Sequence, residues 1–219
     1  MTGEKRTKPL PSGGNFGGQA KQSFACMKGF SDKIEKPSLL LHSCCGPCST
    51  AVIERLAGDY QITIFFYNPC ITDQAEYQRR KDAQLDFIKK YNESLPPKEH
   101  ICFMEGPYDT KNFYRAAKGL EAEPEGGKRC LECFRLRLEK TAETCKLAGC
   151  DYFGTTLTVS PHKNYELISR LGKKLAVRYG LSFIDEDFKK KDGFKRSIEL
   201  SRQYGLYRQN YCGCEFSKR

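Results

Sequence analysis

The stretch that decides the fold is SLLLHSCCGPCSTAVIERLAG, residues 38–58. It opens with a short apolar run, residues 38–42, which is bounded by polar residues and predicts a buried strand. Val52 and Leu56 recur at helical spacing, and Pro47 suits the first turn of a helix. The stretch therefore predicts a strand, a turn and a helix, with three cysteines where the strand ends.

The same alternation of strand and helix continues along the rest of the chain. Further strands are predicted over residues 61–68, 99–105, 151–156 and 181–186, and further helices over residues 73–92, 110–120, 129–149, 163–180 and 194–205. Asp73 is the expected N-cap of the first of these helices, and Gly149 is expected to end the third.

Alternation of this kind predicts an α/β fold in three layers, with a parallel sheet between helices on both faces. Ligands bind such sheets at the carboxyl ends of the strands. Residues 44–48, 67–69 and 155–163 all follow predicted strands. We therefore expect these three segments to meet at one edge of the sheet.

Composition limits the class of protein. The 219 residues carry a net charge of +10 and include 12 cysteines but no tryptophan. We expect one domain over residues 38–219, preceded by a basic, mobile extension over residues 1–37. No secretory signal and no apolar run of roughly 20 residues is found, so we expect a cytoplasmic protein with reduced thiols and no membrane partner. The charge suits nucleic acid as a partner, although a basic enzyme without one fits equally well.

The cysteines form three groups that are far apart in the sequence. These are Cys44, Cys45 and Cys48, then Cys130 and Cys133, and finally Cys212 and Cys214. Residues three apart on a helix share a face, and a helix N-terminus favours the thiolate that binds metals. The grouping indicates metal or redox chemistry. The remaining cysteines are interpreted as core or incidental surface thiols: Cys26, Cys70, Cys102, Cys145 and Cys150.

The residues alone leave more than one kind of site open. The sequence from Cys45 to Cys48 has the spelling and the strand-to-helix context of a thioredoxin redox site. The absence of tryptophan, the chain length and the two further cysteine groups argue against a thioredoxin. A structural zinc site commonly uses paired cysteines, but adjacent cysteines and a CxC are unusual in it. An iron–sulfur cluster accepts more varied spacing.

Five blocks of sequence follow one another in a distinctive order. They are SCCGPCS (43–49), FYNPCI with EYQRR (66–71 and 76–80), EPEGGKRCLECFRLRLEKTAE (123–143), FGTTLTVSPHKN (153–164) and LYRQNYCGCEFS (206–217). Together they resemble the QueH family of cobalamin-independent epoxyqueuosine reductases. The resemblance implies a fold like that of the adenine-nucleotide alpha-hydrolases (HUP). It also implies an oxidoreductase that converts the epoxide of epoxyqueuosine, at the wobble position of tRNA, into the alkene of queuosine.

The resemblance also implies a site. By the family pattern a 4Fe-4S cluster is held by Cys44, Cys45, Cys130 and Cys133, and the redox-active pair is Cys212 and Cys214. Cys48 is a candidate ligand for an additional iron, or a bystander. A competing partition places Cys212 or Cys214 on a metal.

The cofactors and partners follow from the same resemblance. Cobalamin is not expected, because the family that the sequence resembles is independent of it. ATP is not expected, because SCCGPCS stands where ATP-using tRNA enzymes of this fold carry a Gly-rich phosphate loop. The implied partners are tRNA carrying epoxyqueuosine and an external electron donor. The alternative function is a zinc-stabilised module that binds tRNA or other nucleic acid without redox activity.

Other polar residues are candidates for binding or proton transfer. Phosphate binding or helix capping is expected of Thr155, Thr156, Thr158, Ser160 and Lys163. Substrate binding is expected of Arg208 and Gln209. The candidate proton donors are Tyr211, Asp109, Tyr67 and His162. Phosphate contacts or solvated faces are expected of Arg79, Arg80, Lys81 and Lys189–Lys191.

Overall fold

The computed structural model describes residues 36–217, in which five strands form one parallel sheet. The strands are β1 (Ser38–His42), β2 (Gln61–Phe66), β3 (Cys102–Glu105), β4 (Tyr152–Thr155) and β5 (Ser182–Phe183). Their order across the sheet is β3-β2-β1-β4-β5. The predicted α/β class is confirmed, whereas the relation to the alpha-hydrolase fold stays a prediction.

Six α-helices cover the two faces of this sheet in the described part of the chain. They are α1 (Gly46–Leu56), α2 (Gln74–Asn92), α3 (Thr110–Ala117), α4 (Lys128–Ala148), α5 (Tyr165–Tyr179) and α6 (Gly193–Gln203). Helices α1, α2 and α6 pack on one face, and α4 and α5 pack on the other, with α3 against α4. The side chains of β1 alternate between the two faces. Leu39 and Leu41 pack in the core between the sheet and helices α1 and α2, and Leu40 packs in the core between the sheet and helices α4 and α5.

Two helix ends were predicted correctly, and the four strands β2 to β5 are shorter than predicted, most clearly β3 and β5. Asp73 caps α2 by accepting hydrogen bonds from the backbone N–H groups of Ala75 and Glu76, and Gly149 ends α4 in the left-handed conformation. Residues 97–99 form a 3-10 turn before β3, and β5 contains only two of the six residues expected. As the edge strand, β5 has a hydrogen-bonded neighbour on one side only.

Most of the predicted extension, residues 1–35, lies outside the described residues. Its last two residues are described, and they contact the domain. The Lys36 ammonium donates to the carboxylate of Glu99 and to the backbone carbonyl of Ala57, both at 2.9 Å. The backbone carbonyl of Pro37 accepts a hydrogen bond from the N–H of Gln61. The division into an extension and one domain stays a prediction.

The strand order reverses between β1 and β4. The chain proceeds from β1 to β2 and β3 on one side of this point, and from β4 to β5 on the other. Ligands bind parallel sheets where the strand order reverses in this way. At the ends of β1 and β4, the imidazole of His42 lies 3.0 Å from the hydroxyl of Thr155. The cysteines that follow His42 are therefore held beside the segment that follows Thr155.

Gly46 allows α1 and α2 to approach closely beneath the first cysteine group. A Cβ atom at Gly46 would lie 2.6 Å from the backbone oxygen of Ala83 in α2 and 2.9 Å from its carbonyl carbon. A rigid helix backbone cannot yield to such a contact as a flexible side chain does. The glycine in CCGPC is therefore required by helix packing.

We predict that Gly46→Ala lowers the free energy of unfolding by about 1–3 kcal/mol, because the added methyl group overpacks this contact. The measurement is urea unfolding of the variant beside the parent protein. Gly58→Ala is the matched control, since a Cβ atom there meets nothing within 4 Å. Equal stability of the Gly46 and Gly58 variants would contradict the packing role.

Candidate functional site

The first cysteine group lies between the end of β1 and the start of α1. The sulfur atoms of Cys44, Cys45 and Cys48 all lie within 4.8 Å of one another. Hydrogen bonds from the thiols of Cys44 and Cys48 hold the pKa of Cys45 well below its ordinary value. Hydrogen bonds with Cys44 and Cys45 raise the pKa of Cys48. This arrangement favours a thiolate at Cys45, in a group compact enough to bind one metal centre.

The second group lies at the start of α4 and gains a member from another segment. Cys130 and Cys133 lie in the first turns of the helix, and the sulfur of Cys130 accepts a hydrogen bond from the N–H of Gly126 at 3.2 Å. The thiol of Cys133 donates to the sulfur of Cys70, which follows β2, and this lowers the pKa of Cys70 to about 6. Three buried sulfurs are therefore grouped here.

The third group is positioned by a buried ion pair. Arg80 and Glu76 are 1 % and 0 % exposed, and their charged groups are 2.7 Å apart. The Arg80 guanidinium also donates to the backbone carbonyls of Tyr211 and Cys212, at 3.1 and 3.0 Å. It thereby ties the C-terminal segment to α2, which places Cys212 and Cys214 beside the other cysteines.

Gly213 has the backbone conformation that this approach requires. Its φ angle is +109°, a value that glycine adopts far more readily than other residues. A Cβ atom there would lie 2.9 Å from the guanidinium of Arg80 and 3.0 Å from the side chain of Ile71. The glycine between the two cysteines therefore lets the backbone approach α2.

Cys130 and Cys133 of the second group and both cysteines of the third line one small cavity together. Its remaining lining consists of two aromatic rings and three cations: Phe113, Phe134, Arg129, Arg137 and Lys163. The ammonium of Lys163 donates to the sulfur of Cys212 at 2.9 Å. The three cations therefore concentrate positive charge beside these sulfur atoms.

Arg137 connects the second and third groups with the first. This residue is 2 % exposed, and its Nη2 atom has no hydrogen-bond partner among the described residues. Its guanidinium interacts electrostatically with Cys133, Cys70, Cys212 and Cys44. Arg137 takes part in none of the ion pairs with carboxylates within residues 36–217. A buried cation is costly unless an anion compensates it. At this site the cysteine sulfurs are the groups placed to supply the compensating negative charge.

Two of the residues predicted to bind substrate contact the cysteines instead of open solvent. The side-chain amide of Gln209 donates to the sulfur of Cys45 at 3.0 Å, and Lys163 donates to Cys212. Arg208 is directed to α6, where it donates to the hydroxyl of Ser201 at 3.1 Å. The ring of Tyr211 lies under the guanidinium of Arg80, 5.2 Å from it.

The hydroxyl groups after β4 are mostly used in local hydrogen bonds. Thr155 accepts from the N–H of Leu157 and contacts His42, while Thr158 donates to the carbonyl of Glu186. Ser160 accepts from the N–H of His162. Thr156 is fully buried, and its hydroxyl has no hydrogen-bond partner. The hydrogen bonds of Thr155, Thr158 and Ser160 are therefore those of capping and loop closure.

The four predicted proton donors lie in different settings. Asp109 caps α3, and His162 is exposed. Tyr67 is buried, which raises its pKa to about 12 and keeps it protonated near Cys70 and Cys133. The backbone carbonyl of Tyr211 is held by Arg80.

Most of the predicted phosphate contacts are engaged in ion pairs. Arg80 is buried, whereas Arg79 pairs with Glu76, Lys81 with Glu105 and Lys189 with Asp187. Lys190 and Lys191 are exposed. Among the described predicted contacts, these two lysines offer the most accessible positive charge.

Cys70 and Arg137 are the residues that sequence reasoning missed. Cys70 was interpreted as a core or surface thiol, although it directly follows Tyr67-Asn68-Pro69, a segment already expected at the carboxyl edge of the sheet. Its position was therefore the available signal. Arg137 stands four residues after Cys133, on the same face of α4. That spacing was visible, but an arginine in a charged helix gives no sign of burial.

Comparison with known proteins identifies the family. A family model described as "Epoxyqueuosine reductase QueH" matches residues 39–219. The chain belongs to the epoxyqueuosine reductase QueH family. It is 43 % identical to the "Epoxyqueuosine reductase QueH" of Staphylococcus epidermidis over 185 residues, which are 84 % of this chain and 77 % of that protein.

Two further relatives of the same name support this assignment. The protein of Streptococcus pyogenes is 41 % identical over 182 residues, 83 % of this chain and 71 % of the relative. The protein of Thermotoga maritima is 34 % identical over 183 residues, 82 % of this chain and 90 % of the relative. The family indicated by the sequence blocks is confirmed, and it is a family of oxidoreductases. No helix within residues 36–217 has the length and apolar character needed to cross a membrane.

We predict that Glu76→Ala lowers the free energy of unfolding by about 3–5 kcal/mol, because it leaves the buried Arg80 without its counter-charge. Glu54→Ala is the matched control. It breaks an ion pair with Arg196 whose side chains are 41 % and 44 % exposed. Such a pair contributes less than about 1 kcal/mol. Urea unfolding measures both variants, and equal losses would show that the Glu76 pair does not anchor the C-terminal segment.

Proposed function

We propose that this protein is an epoxyqueuosine reductase that acts on tRNA in the last step of queuosine synthesis. In this proposal Cys44, Cys45, Cys130 and Cys133 hold a 4Fe-4S cluster, and Cys212 and Cys214 form a redox-active pair. The observation that carries it is the convergence of three cysteine groups around the buried guanidinium of Arg137. Membership of the QueH family supports the substrate.

The donor set fits an iron–sulfur cluster. Such clusters are held by cysteine thiolates, and a cluster with four thiolate ligands is anionic. Arg137, whose Nη2 atom is unpaired and which has no carboxylate partner in the described part of the chain, supplies positive charge on the side of Cys44 and Cys133. Gln209 and Gly126 donate hydrogen bonds to the sulfurs of Cys45 and Cys130. Hydrogen bonds of this kind tune the reduction potential of a cluster.

The reaction requires two electrons and two protons. Reduction of the epoxide breaks both of its carbon–oxygen bonds, forms an alkene and releases the oxygen as water. Oxidation of Cys212 and Cys214 from two thiols to a disulfide supplies the same number of electrons and protons. When bound, the cluster supplies single-electron transfer. The external donor then restores the two thiols.

The chain's own residues position these groups. Arg80 holds the carbonyls of Tyr211 and Cys212, so the redox pair is fixed against α2. Phe113 and Phe134 supply the apolar part of the lining of the cavity. The net charge of +10 favours approach of the tRNA backbone. Cys48 lies within 4.8 Å of both Cys44 and Cys45, which supports it as a ligand for one additional iron.

Removal of any one of the four proposed ligands is expected to abolish or severely reduce cluster binding. The variants are Cys44→Ala, Cys45→Ala, Cys130→Ala and Cys133→Ala, and the measurement is iron and sulfide content with the visible absorption spectrum after anaerobic purification. Cys145→Ala is the matched control. Cys145 is a buried cysteine of the same helix α4, and its thiol donates to the backbone carbonyl of Tyr152.

Cys70→Ser tests whether Cys70, which contacts Cys133, is a cluster ligand in its place. We expect it to retain the cluster. Loss of the cluster in Cys70→Ser, together with retention in Cys133→Ala, would transfer the ligand role from Cys133 to Cys70.

A second set of variants is expected to show that cluster binding does not depend on the redox pair. Cys212→Ser and Cys214→Ser should each retain iron and sulfide but lose conversion of epoxyqueuosine in tRNA, since a single thiol cannot close a disulfide. The assay is mass spectrometry of nucleosides from modified tRNA, with Cys145→Ala as the active control. Loss of iron with activity would place the pair on the metal, and full activity would remove the dithiol step.

A further inference from the structure

The two cysteines of the C-terminal pair occupy unlike environments. The sulfur of Cys212 is half-buried and receives a hydrogen bond from the ammonium of Lys163 at 2.9 Å. Cys214 is 7 % exposed, and burial raises the pKa of its thiol. The hydroxyl of Ser217 and the guanidinium of Arg129 oppose this effect of burial, while Cys212 and Cys70 reinforce it. Among the described residues, no ammonium is hydrogen-bonded to the sulfur of Cys214. The pair is therefore built with one sulfur facing a cation and one sulfur enclosed.

Lys163 is positioned for this contact by its surroundings. Its side chain is 10 % exposed, and its ammonium lies 5.9 Å from the centre of the Phe134 ring. The carboxylate of Glu125 is 3.5 Å away, farther than the sulfur of Cys212. The backbone of Lys163 is fixed at both ends, because its N–H donates to the carbonyl of Ser160 and its carbonyl accepts from Lys189. An ammonium held in this way cannot extend to a phosphate in solvent.

We propose that Lys163 is a positioning residue that makes Cys212 the reacting sulfur of the pair, while Cys214 is the enclosed sulfur that closes the disulfide. An ammonium beside sulfur stabilises the thiolate, which is the nucleophilic form. The inference rests on the proposed function for its place in the reaction. Its chemical content, the difference between the two sulfurs, is independent of tRNA.

The order of events is testable with an aromatic disulfide as oxidant. The Cys212 thiolate attacks one sulfur of the reagent, which forms a mixed disulfide and releases one arylthiolate. The Cys214 thiolate then attacks the Cys212 sulfur of this mixed disulfide, which forms the Cys212–Cys214 disulfide and releases the second arylthiolate. Two protein thiols are oxidised, and one reagent molecule is reduced to two arylthiolates. Cys214→Ser should stop after the first release, with the reagent attached to Cys212.

Site-resolved alkylation measures the same asymmetry directly. The full-length, iron-loaded protein is treated anaerobically with iodoacetamide at pH 7, and mass spectrometry follows Cys212 and Cys214 separately. We expect Cys212 to react about tenfold faster than Cys214, and Lys163→Met to slow Cys212 about tenfold, as loss of a neighbouring cation does. Lys163→Arg should keep most of the rate, because it keeps the charge.

Lys173→Met is the matched control. It removes one lysine charge from the exposed face of α5, where Lys173 pairs with Asp185, and should leave the alkylation of Cys212 unchanged. If Lys163→Met does not fold, the comparison of Cys212 with Cys214 in the parent protein and in Lys163→Arg still decides the matter. Faster alkylation of Cys214 would overturn the inference, as would an unchanged rate for Cys212 in a folded Lys163→Met variant.

Failure of the inference and failure of the proposed function give different results. Equal alkylation of the two cysteines with normal conversion of modified tRNA would overturn the inference and leave the function standing. Fast alkylation of Cys212 without conversion of tRNA would support the sulfur asymmetry and overturn the function. Protection of both cysteines until iron is removed would show that they bind metal, which overturns the inference.

Discussion

A buried guanidinium with no carboxylate partner within residues 36–217 constrains what this site contains. Arg137 is 2 % exposed and interacts with sulfur atoms of four segments, while its Nη2 atom has no hydrogen-bond partner in the same range. The cost of burying such a charge is recovered only if negative charge is present beside it. Thiolates, alone or bound to an iron–sulfur cluster, meet this need. Arg137 thus explains why cysteines from distant parts of the sequence converge on one side of α4.

The frame that holds these cysteines is built from ordinary packing and pairing. The reversal of strand order between β1 and β4 places the segments after these two strands side by side, and Gly46 allows α1 to approach α2 closely. The Glu76–Arg80 pair fixes the C-terminal segment through the carbonyls of Tyr211 and Cys212. The similarity of CCGPC to a thioredoxin site therefore has a structural basis. Its glycine serves helix packing, and its proline starts a helix.

Local features of the sequence predicted the fold well. The alternation of apolar runs with helical patterns predicted the parallel sheet, and Asp73 and Gly149 marked helix ends because capping depends on neighbouring residues. The short length of β5 was not predictable in the same way. The apolar run at residues 181–184 meets the local requirement for a strand, but its extent depends on pairing with a single neighbour, β4.

The site was predictable only in part, for a related reason. The cysteine groups stand out by their spacing, but the partners of a buried cation depend on contacts between distant segments. Arg80, for which a phosphate contact or a solvated face was expected, is buried and binds Glu76 within the protein. Lys163, for which phosphate binding or helix capping was expected, donates to Cys212. In both cases the residue type was informative about charge, while the tertiary structure decided where that charge is used.

We propose that the converging cysteines hold an iron–sulfur cluster. The decisive measurement is metal and sulfide analysis of the anaerobically purified parent protein, together with its visible spectrum. We expect a brown protein with at least about four irons and about four sulfides per chain, as one 4Fe-4S cluster requires. A colourless protein that contains zinc and no acid-labile sulfide would contradict it. That result would favour a zinc-stabilised module that binds nucleic acid without redox activity.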